Sequence, residues 1–318
     1  MKNFTSINDV ANLKQLVDQA LAIKQNPLAH KSYGEDKTLG LLFFNPSLRT
    51  RLSSQRAATN LGMKVMVMNL NNDGWTLEME DGAIMDQGSQ EHIKEAAGVI
   101  SQYCDIIGIR SFASLKNRED DYNETLLNKF IAHASVPVFS LESATLHPLQ
   151  SFADLITIEE HKQIARPKVV LTWAPHPKAL PQAVANSFAE WMKLAEVDLT
   201  IANPVNFDLA PEFTEGIEIL HNQEEALKNA DFVYAKNWSS YNNYGQTLAN
   251  LNDWTITSAR MAVTNQAKFM HCLPVRRNVV VADEVIDSAA SLVLQQANNR
   301  TFAAQTVLLN LLKNAANT

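Results

Sequence analysis

The chain has 318 residues, 46% hydrophobic and 19% charged, which is enough apolar material for two domains with a sizeable core. A net charge of −7 argues against a nucleic-acid partner, and no apolar run reaches the length of a membrane span. The two cysteines, Cys104 and Cys272, lack metal-ligand spacing, and residues 1–5 lead into no signal-type apolar core, so the expectation is a cytoplasmic protein with free thiols.

Residues 39–44 form an apolar run that predicts a buried strand, broken by Asn45-Pro46. A helix is predicted over 52–61, ending at Gly62. Ser47, Leu48, Arg49, Thr50 and Arg51 therefore stand where a strand hands over to a helix N-terminus. Free backbone N–H groups and the helix dipole favour an anion there, and Arg49 adds a planar fork of donors. An N-cap serine followed by two solvated arginines fits the same stretch.

Further strands are predicted at 64–68, 105–110 and 136–139. Between the first two of these, residues 71–91 carry scattered acids, three glycines and Trp75. They read either as a lid or binding loop, or as a surface loop without structure. A helix over 151–164 joins the halves. The second half repeats the habit with strands at Lys168–Trp173, 198–201, 231–234 and Lys268–Met270, and closes on a long helix over 291–312. Alternation of this kind predicts parallel sheets covered by helices, two of them.

Parallel sheets bind ligands at the carboxyl ends of their strands. Ser47, Arg49 and Thr50 stand at the first such end, Arg110 at the third, and Glu142, His147 and Gln150 just beyond the fourth. In the second half His176, Lys236, Cys272 and Arg276 follow strands. No G-x-G-x-x-G occurs, which argues against a nicotinamide cofactor. Each residue has a plainer reading, such as a surface arginine, a loop histidine, a helix-starting glutamine or a core cysteine. Their joint placement favours one site for a phosphate and a carbonyl.

The order S-x-R-T-R, strand-end arginine, H-P-x-Q, H-C-L-P resembles the transcarbamoylases over nearly the whole chain. Phe43-Phe44-Asn45-Pro46-Ser47 and Tyr234-Ala235-Lys236-Asn237-Trp238 look most similar to the N-acylornithine branch of the aspartate/ornithine transcarbamoylase family, which holds the N-acetyl- and N-succinyl-L-ornithine enzymes. The resemblance implies a carbamoyl phosphate-binding domain over 1–140, completed by a C-terminal helix over 291–318, and an acylornithine-binding domain over 141–290. It implies an active site in the interdomain cleft, a knotted backbone in the second domain, and a homotrimer with shared active sites.

Ser47, Leu48, Arg49, Thr50, Arg110, His147, Gln150, Leu273 and Arg300 would then bind carbamoyl phosphate, with Trp75 arriving from a neighbouring subunit. Arg49, Arg110, His147 and Cys272 would serve catalysis. Glu142, His176, Lys236, Arg276 and Gln90 would hold the acylated ornithine. The resemblance implies no cofactor and no metal.

Two departures bear on the acceptor. A free-ornithine enzyme carries D-x-x-x-S-M-G, where this chain has Asp231 to Asn237 with Lys236. A lysine repels a free ammonium and attracts a carboxylate. The acetyl-specific branch has a glutamate where Gln90 stands and a lysine where Val280 stands; the succinyl-specific branch has proline at the first position. Without the glutamate, a succinyl carboxylate meets no like charge. The expected reaction is carbamoyl transfer to the δ-amine of N-succinyl-L-ornithine in arginine biosynthesis. N-acetyl-L-ornithine or free ornithine are alternative acceptors, and a non-catalytic phosphometabolite-binding protein is the alternative from another class.

Overall fold

Both halves of the chain alternate short runs of branched apolar residues with amphipathic stretches, and each becomes an all-parallel sheet with helices packed on it. The structure is a computed structural model and describes residues 1–70, 74–246 and 252–315. Its chain divides into unit 1, made of Met1–Ala113, Glu119–Leu149 and Arg300–Thr318, and unit 2, made of Ser114–Arg118 and Gln150–Asn299.

The strands of unit 1 are β1 (Thr38–Phe43), β2 (Lys64–Asn69), β3 (Leu77–Glu78), β4 (Glu91–His92), β5 (Ile106–Arg110) and β6 (Val138–Glu142). The main sheet has the order β2-β1-β5-β6, and β3 pairs with β4 alone. Every residue of β5 and β6 is buried, as covering both faces of a parallel sheet requires. Ile107 and Ile109 pack with Leu42, Leu127, Phe130 and Val138. The β6 edge is closed by the start of the chain. The Phe4 N–H donates to the Val138 carbonyl at 3.0 Å, and the Ser140 N–H donates to the Phe4 carbonyl at 2.8 Å.

Unit 2 holds β7 (Lys168–Trp173), β8 (Asp198–Ala202), β9 (Glu218–Leu220), β10 (Phe232–Lys236) and β11 (Lys268–Met270), in the order β11-β10-β7-β8-β9. Three residues are too few for a periodic pattern, and β9 was not expected. Buried indoles tie the unit together: Trp173 Nε1 donates to the Trp238 carbonyl at 2.9 Å, and Trp238 Nε1 to the Phe207 carbonyl at 2.7 Å.

The differences from expectation have local causes. The first long helix beyond β1 is Arg49–Asn60, three residues earlier than its apolar periodicity suggests. Gly62 follows it at φ 84°, a conformation that glycine adopts without strain. β6 extends to Glu142 because Ser140 and Glu142, polar in sequence, are both buried. The helix Pro148–His161 starts at a proline, whose missing N–H costs nothing in a first turn.

The expected division at 140/141 and 290/291 differs from the observed one at 149/150 and 299/300. Residues 143–145 are held in unit 1 by Glu124, which accepts from the Ser143 hydroxyl at 2.6 Å and the Thr145 N–H at 2.7 Å. Of the loop expected at 71–91, residues 71–73 lie outside the described residues. The remainder carries β3 and ends at β4, with Leu77 in register with Glu91. No helix among the described residues is long and apolar enough to cross a membrane.

Gly108 sits in mid-β5, where an added Cβ would stand 2.6 Å from the Phe139 ring. Gly108→Ala is expected to lower stability by about 1–3 kcal/mol through overpacking. In urea unfolding the midpoint should fall while the slope stays constant.

Candidate functional site

In unit 1 the chain enters the sheet at β1, adds β2 on one side, and returns to lay β5 and β6 on the other. The loops leaving β1 and β5 therefore diverge, and a crevice opens at their carboxyl ends. Phe43 and Arg110 are register partners at that point. Asn45 pins the two exits together, its Oδ1 accepting from the Phe112 N–H at 2.6 Å.

Around this crevice the structure gathers Ser47, Thr50, Arg110, Glu142, His147 and Arg300. Ser47 Oγ accepts from the Thr50 N–H at 3.3 Å, in the manner of a helix cap. The buried Thr50 hydroxyl receives Arg110 Nη1 at 3.3 Å and Arg300 Nη2 at 2.6 Å. Arg110 also pairs with Glu142 Oε2 at 2.5 Å, and its guanidinium lies 4.3 Å from the centre of the Phe112 ring. His147 Nε2 stands 3.4 Å from the same carboxylate oxygen. Arg49 opens the helix, partly buried, directly after the exposed Leu48. Two buried guanidiniums, one of them paired with Glu142, thus meet at Thr50 in the first turn of a helix, which suits the cluster to a phosphate.

Glu142 belongs with Arg110 and His147 in unit 1, whereas the other residues expected to hold the acceptor amino acid, apart from Gln90, lie in unit 2. Gln90 is also in unit 1. Its backbone N–H donates to the Thr76 carbonyl at 3.1 Å and its Oε1 accepts from the Thr76 N–H at 3.2 Å. Trp75, 58% exposed, donates from Nε1 to Glu91 Oε2 at 2.7 Å. Trp75 and Gln90 line one pocket of about 600 Å³ together with Phe44, Leu77, Met79 and Leu126. Val280 is buried, its N–H donating to the Arg276 carbonyl at 2.9 Å.

Unit 2 repeats the reversal. β8 and β9 lie on one side of β7, β10 and β11 on the other, and Trp173 is in register with Lys236. His176 and Lys236 consequently stand at the carboxyl ends of the two diverging strands. Lys236 is buried, with Nζ donating to the Asn237 carbonyl at 2.8 Å. Arg276 Nε donates to His176 Nε2 at 3.2 Å. Arginine cannot accept, so Nε2 takes the accepting role toward Arg276, while Nδ1 lies 2.8 Å from the Lys178 carbonyl and 3.1 Å from the Lys178 N–H. Burial, followed by the charges of Lys236 and Arg276, holds this imidazole below its ordinary value against the opposing pull of that carbonyl.

Beyond β11, Cys272 is half-buried and Leu273 adopts φ 48°, a conformation that costs a leucine energy and recurs at functional sites. The Leu273 N–H donates to His271 Nδ1 at 2.9 Å. Gln150 donates to Asp154 at 2.7 Å. The roles of Asn45, Glu91, Glu124 and Asp154 escaped the sequence reading, which met Asn45 only as a strand breaker and motif residue. Asp154 could have been found by its i,i+4 spacing from Gln150 in a helix.

Residues 2–160 match the family description "Aspartate/ornithine carbamoyltransferase, carbamoyl-P binding domain", and residues 181–311 match "Aspartate/ornithine carbamoyltransferase, Asp/Orn binding domain". An N-succinylornithine carbamoyltransferase of Bacteroides fragilis is 53% identical over 316 residues, covering 99% of each chain. An N-acetylornithine carbamoyltransferase of Xylella fastidiosa is 32% identical over 334 residues, covering 98% of each. Among solved structures, a mutant of N-acetyl-L-ornithine transcarbamylase complexed with carbamyl phosphate and N-succinyl-L-norvaline superposes with a TM-score of 0.92 at 32% identity, covering 98% of this chain and all of its own.

The His176 environment has a pH consequence. Its folded-state value lies below the 6.5 of a free imidazole, so between the two the unfolded chain binds the extra proton. The stability contribution is full above about 6.5 and is lost as pH falls through the folded value. Chemical denaturation in steps from about pH 7.5 to about pH 5 should show a loss that is shallower in His176→Asn. Parallel curves for the two proteins would assign the loss to other groups.

Proposed function

Because the chain belongs to the aspartate/ornithine carbamoyltransferase family, and is a carbamoyltransferase, we propose that it moves the carbamoyl group of carbamoyl phosphate to the δ-amine of N-succinyl-L-ornithine, giving N-succinyl-L-citrulline and phosphate in arginine biosynthesis. The observation that carries the choice of acceptor is the 53% identity, over 316 residues, to an enzyme named for that substrate, against 32% for the N-acetylornithine enzymes. The buried Lys236 and the exposed Arg276 support it, since both attract carboxylates. With His176 neutral, the positive charge around the acceptor comes from these two residues.

In this reading Ser47, Leu48, Arg49, Thr50 and Arg300 hold the phosphate. Arg110 and His147 donate to the carbonyl oxygen, and Gln150 accepts from the carbamoyl N–H. Leu273 adds its backbone carbonyl beside Cys272. Glu142 takes a different part from the one its motif implied: bonded to Arg110 and His147, it holds the carbonyl donors in place. The free δ-amine attacks the carbamoyl carbon, and the C=O electron pair moves onto oxygen. Arg49, Arg110 and His147 stabilise that charge. The pair then returns, the C–O bond to phosphate breaks, and phosphate leaves carrying the proton that the attacking nitrogen gives up. Alignment of two bound substrates supplies much of the remaining acceleration.

A colorimetric assay for the ureido product, run with free, acetylated and succinylated ornithine, tests the reading. Succinylornithine should give the largest kcat/KM. Gln90→Glu sets a like charge beside the pocket of Trp75, and should shift the succinyl-to-acetyl ratio of kcat/KM downward by about tenfold, which corresponds to ~1.4 kcal/mol. A wild-type preference for acetylornithine, or an unmoved ratio, counts against the succinyl assignment and the place of Gln90 in it.

The exposed Trp75 supports a homotrimer in which this indole completes the site of the adjacent subunit. Arg49→Ala should lose roughly a hundredfold or more in turnover, and Trp75→Ala should also be nearly inactive. Unfolded and reassembled together, the two variants should regain activity in verified mixed trimers. Mixed trimers as inactive as their parents would mean that each site is built within one chain.

A further inference from the structure

We propose that Asp154 is a positioning residue that fixes the amide of Gln150 with its oxygen toward the carbamoyl group and, through Gln296, fixes the turn that carries Cys272 and Leu273. The proposal rests on the carbamoyl phosphate reading above.

The Pro148–His161 helix sets Gln150 and Asp154 one turn apart on one face. Asp154 is fully buried, and Gln150 and Gln296 are each 1% exposed. Both glutamines donate to the same carboxylate oxygen, Gln150 Nε2 at 2.7 Å and Gln296 Nε2 at 2.7 Å. The buried hydroxyl of Tyr234 borders Asp154 and Cys272. Burial first, then these neighbours, push its phenol well above the ordinary value, so it remains a donor. Two amide donors converging on one carboxylate oxygen suit the ionised form, which only accepts.

Each glutamine must therefore present nitrogen to Asp154 and turn its oxygen away. For Gln296 the oxygen accepts from the His271 N–H at 3.0 Å. The turn is closed in sequence by the bond from the Leu273 N–H to His271 Nδ1. For Gln150 the outward oxygen is the acceptor that a carbamoyl NH2 needs. In the opposite orientation, NH2 would meet NH2. A single buried charge thus fixes two amide orientations, and with them recognition of the carbamoyl nitrogen.

Acetyl phosphate, which has a methyl group in place of that nitrogen, separates this role from a structural one. The KM of carbamoyl phosphate and the Ki of acetyl phosphate are to be measured in the wild-type protein, Asp154→Asn and Gln296→Met. Asparagine can donate or accept, so Asp154→Asn should weaken carbamoyl phosphate by about tenfold while the acetyl phosphate Ki moves less than about twofold. Gln296→Met should keep the carbamoyl preference and lower kcat by about tenfold, because only the turn is released. Equal weakening of both ligands in Asp154→Asn, or no change in either, overturns the proposal. If Asp154→Asn does not fold, an unchanged kcat in Gln296→Met overturns it. A wild-type protein without preference for carbamoyl over acetyl phosphate overturns the function reading itself, and this proposal with it.

Discussion

Strand order in a parallel sheet decides where its surface can be concave. Where successive strands are laid on opposite sides of the first, their exit loops diverge and nothing covers the gap between them. This chain has one such reversal in each unit, at Phe43/Arg110 and at Trp173/Lys236. The chemistry-bearing residues of unit 1 gather around the first, and His176 and Lys236 stand at the second. The helix starting at Arg49 aims its N-terminus at the crevice because it is the first segment after β1.

The unit 1 cluster is costly as a piece of architecture. Two guanidiniums share the Thr50 hydroxyl, and the carboxylate paired with Arg110 also faces His147. Buried ion pairs recover little net stability, because desolvation offsets the attraction between the charges. An apolar cluster of similar volume would fold at least as well. The Leu273 backbone carries a similar cost, held in a left-handed conformation by the bonds around His271.

Much of the fold was legible because β-branched runs alternate with amphipathic stretches. Arg110 is the last residue of its strand, as expected, and Lys236, expected just beyond its strand, is also the last residue of one. What stayed hidden was polar material buried by tertiary partners. Ser140 and Glu142 obscured the end of β6, and Pro148 hid the start of its helix. The partner of Glu142 could not be read from a motif, since Arg110 lies 32 residues earlier. Asn45, Glu124 and Gln296 act through backbone groups distant in sequence, and no local pattern announces such bonds.

The contact between Arg300 and Thr50 spans 250 residues, and Phe4 lies against Val138 and Ser140. Unit 1 is thus assembled from both ends of the chain, while unit 2 is nearly continuous. On a ribosome adding about 5–20 residues per second, Thr50 waits roughly 10–50 s for its arginine. By the end of that interval the nascent chain holds almost all of unit 2 and a first sheet without its last helix. Synthesis therefore delivers the phosphate-type cluster last, and a chain stopped short of residue 300 cannot complete it at all.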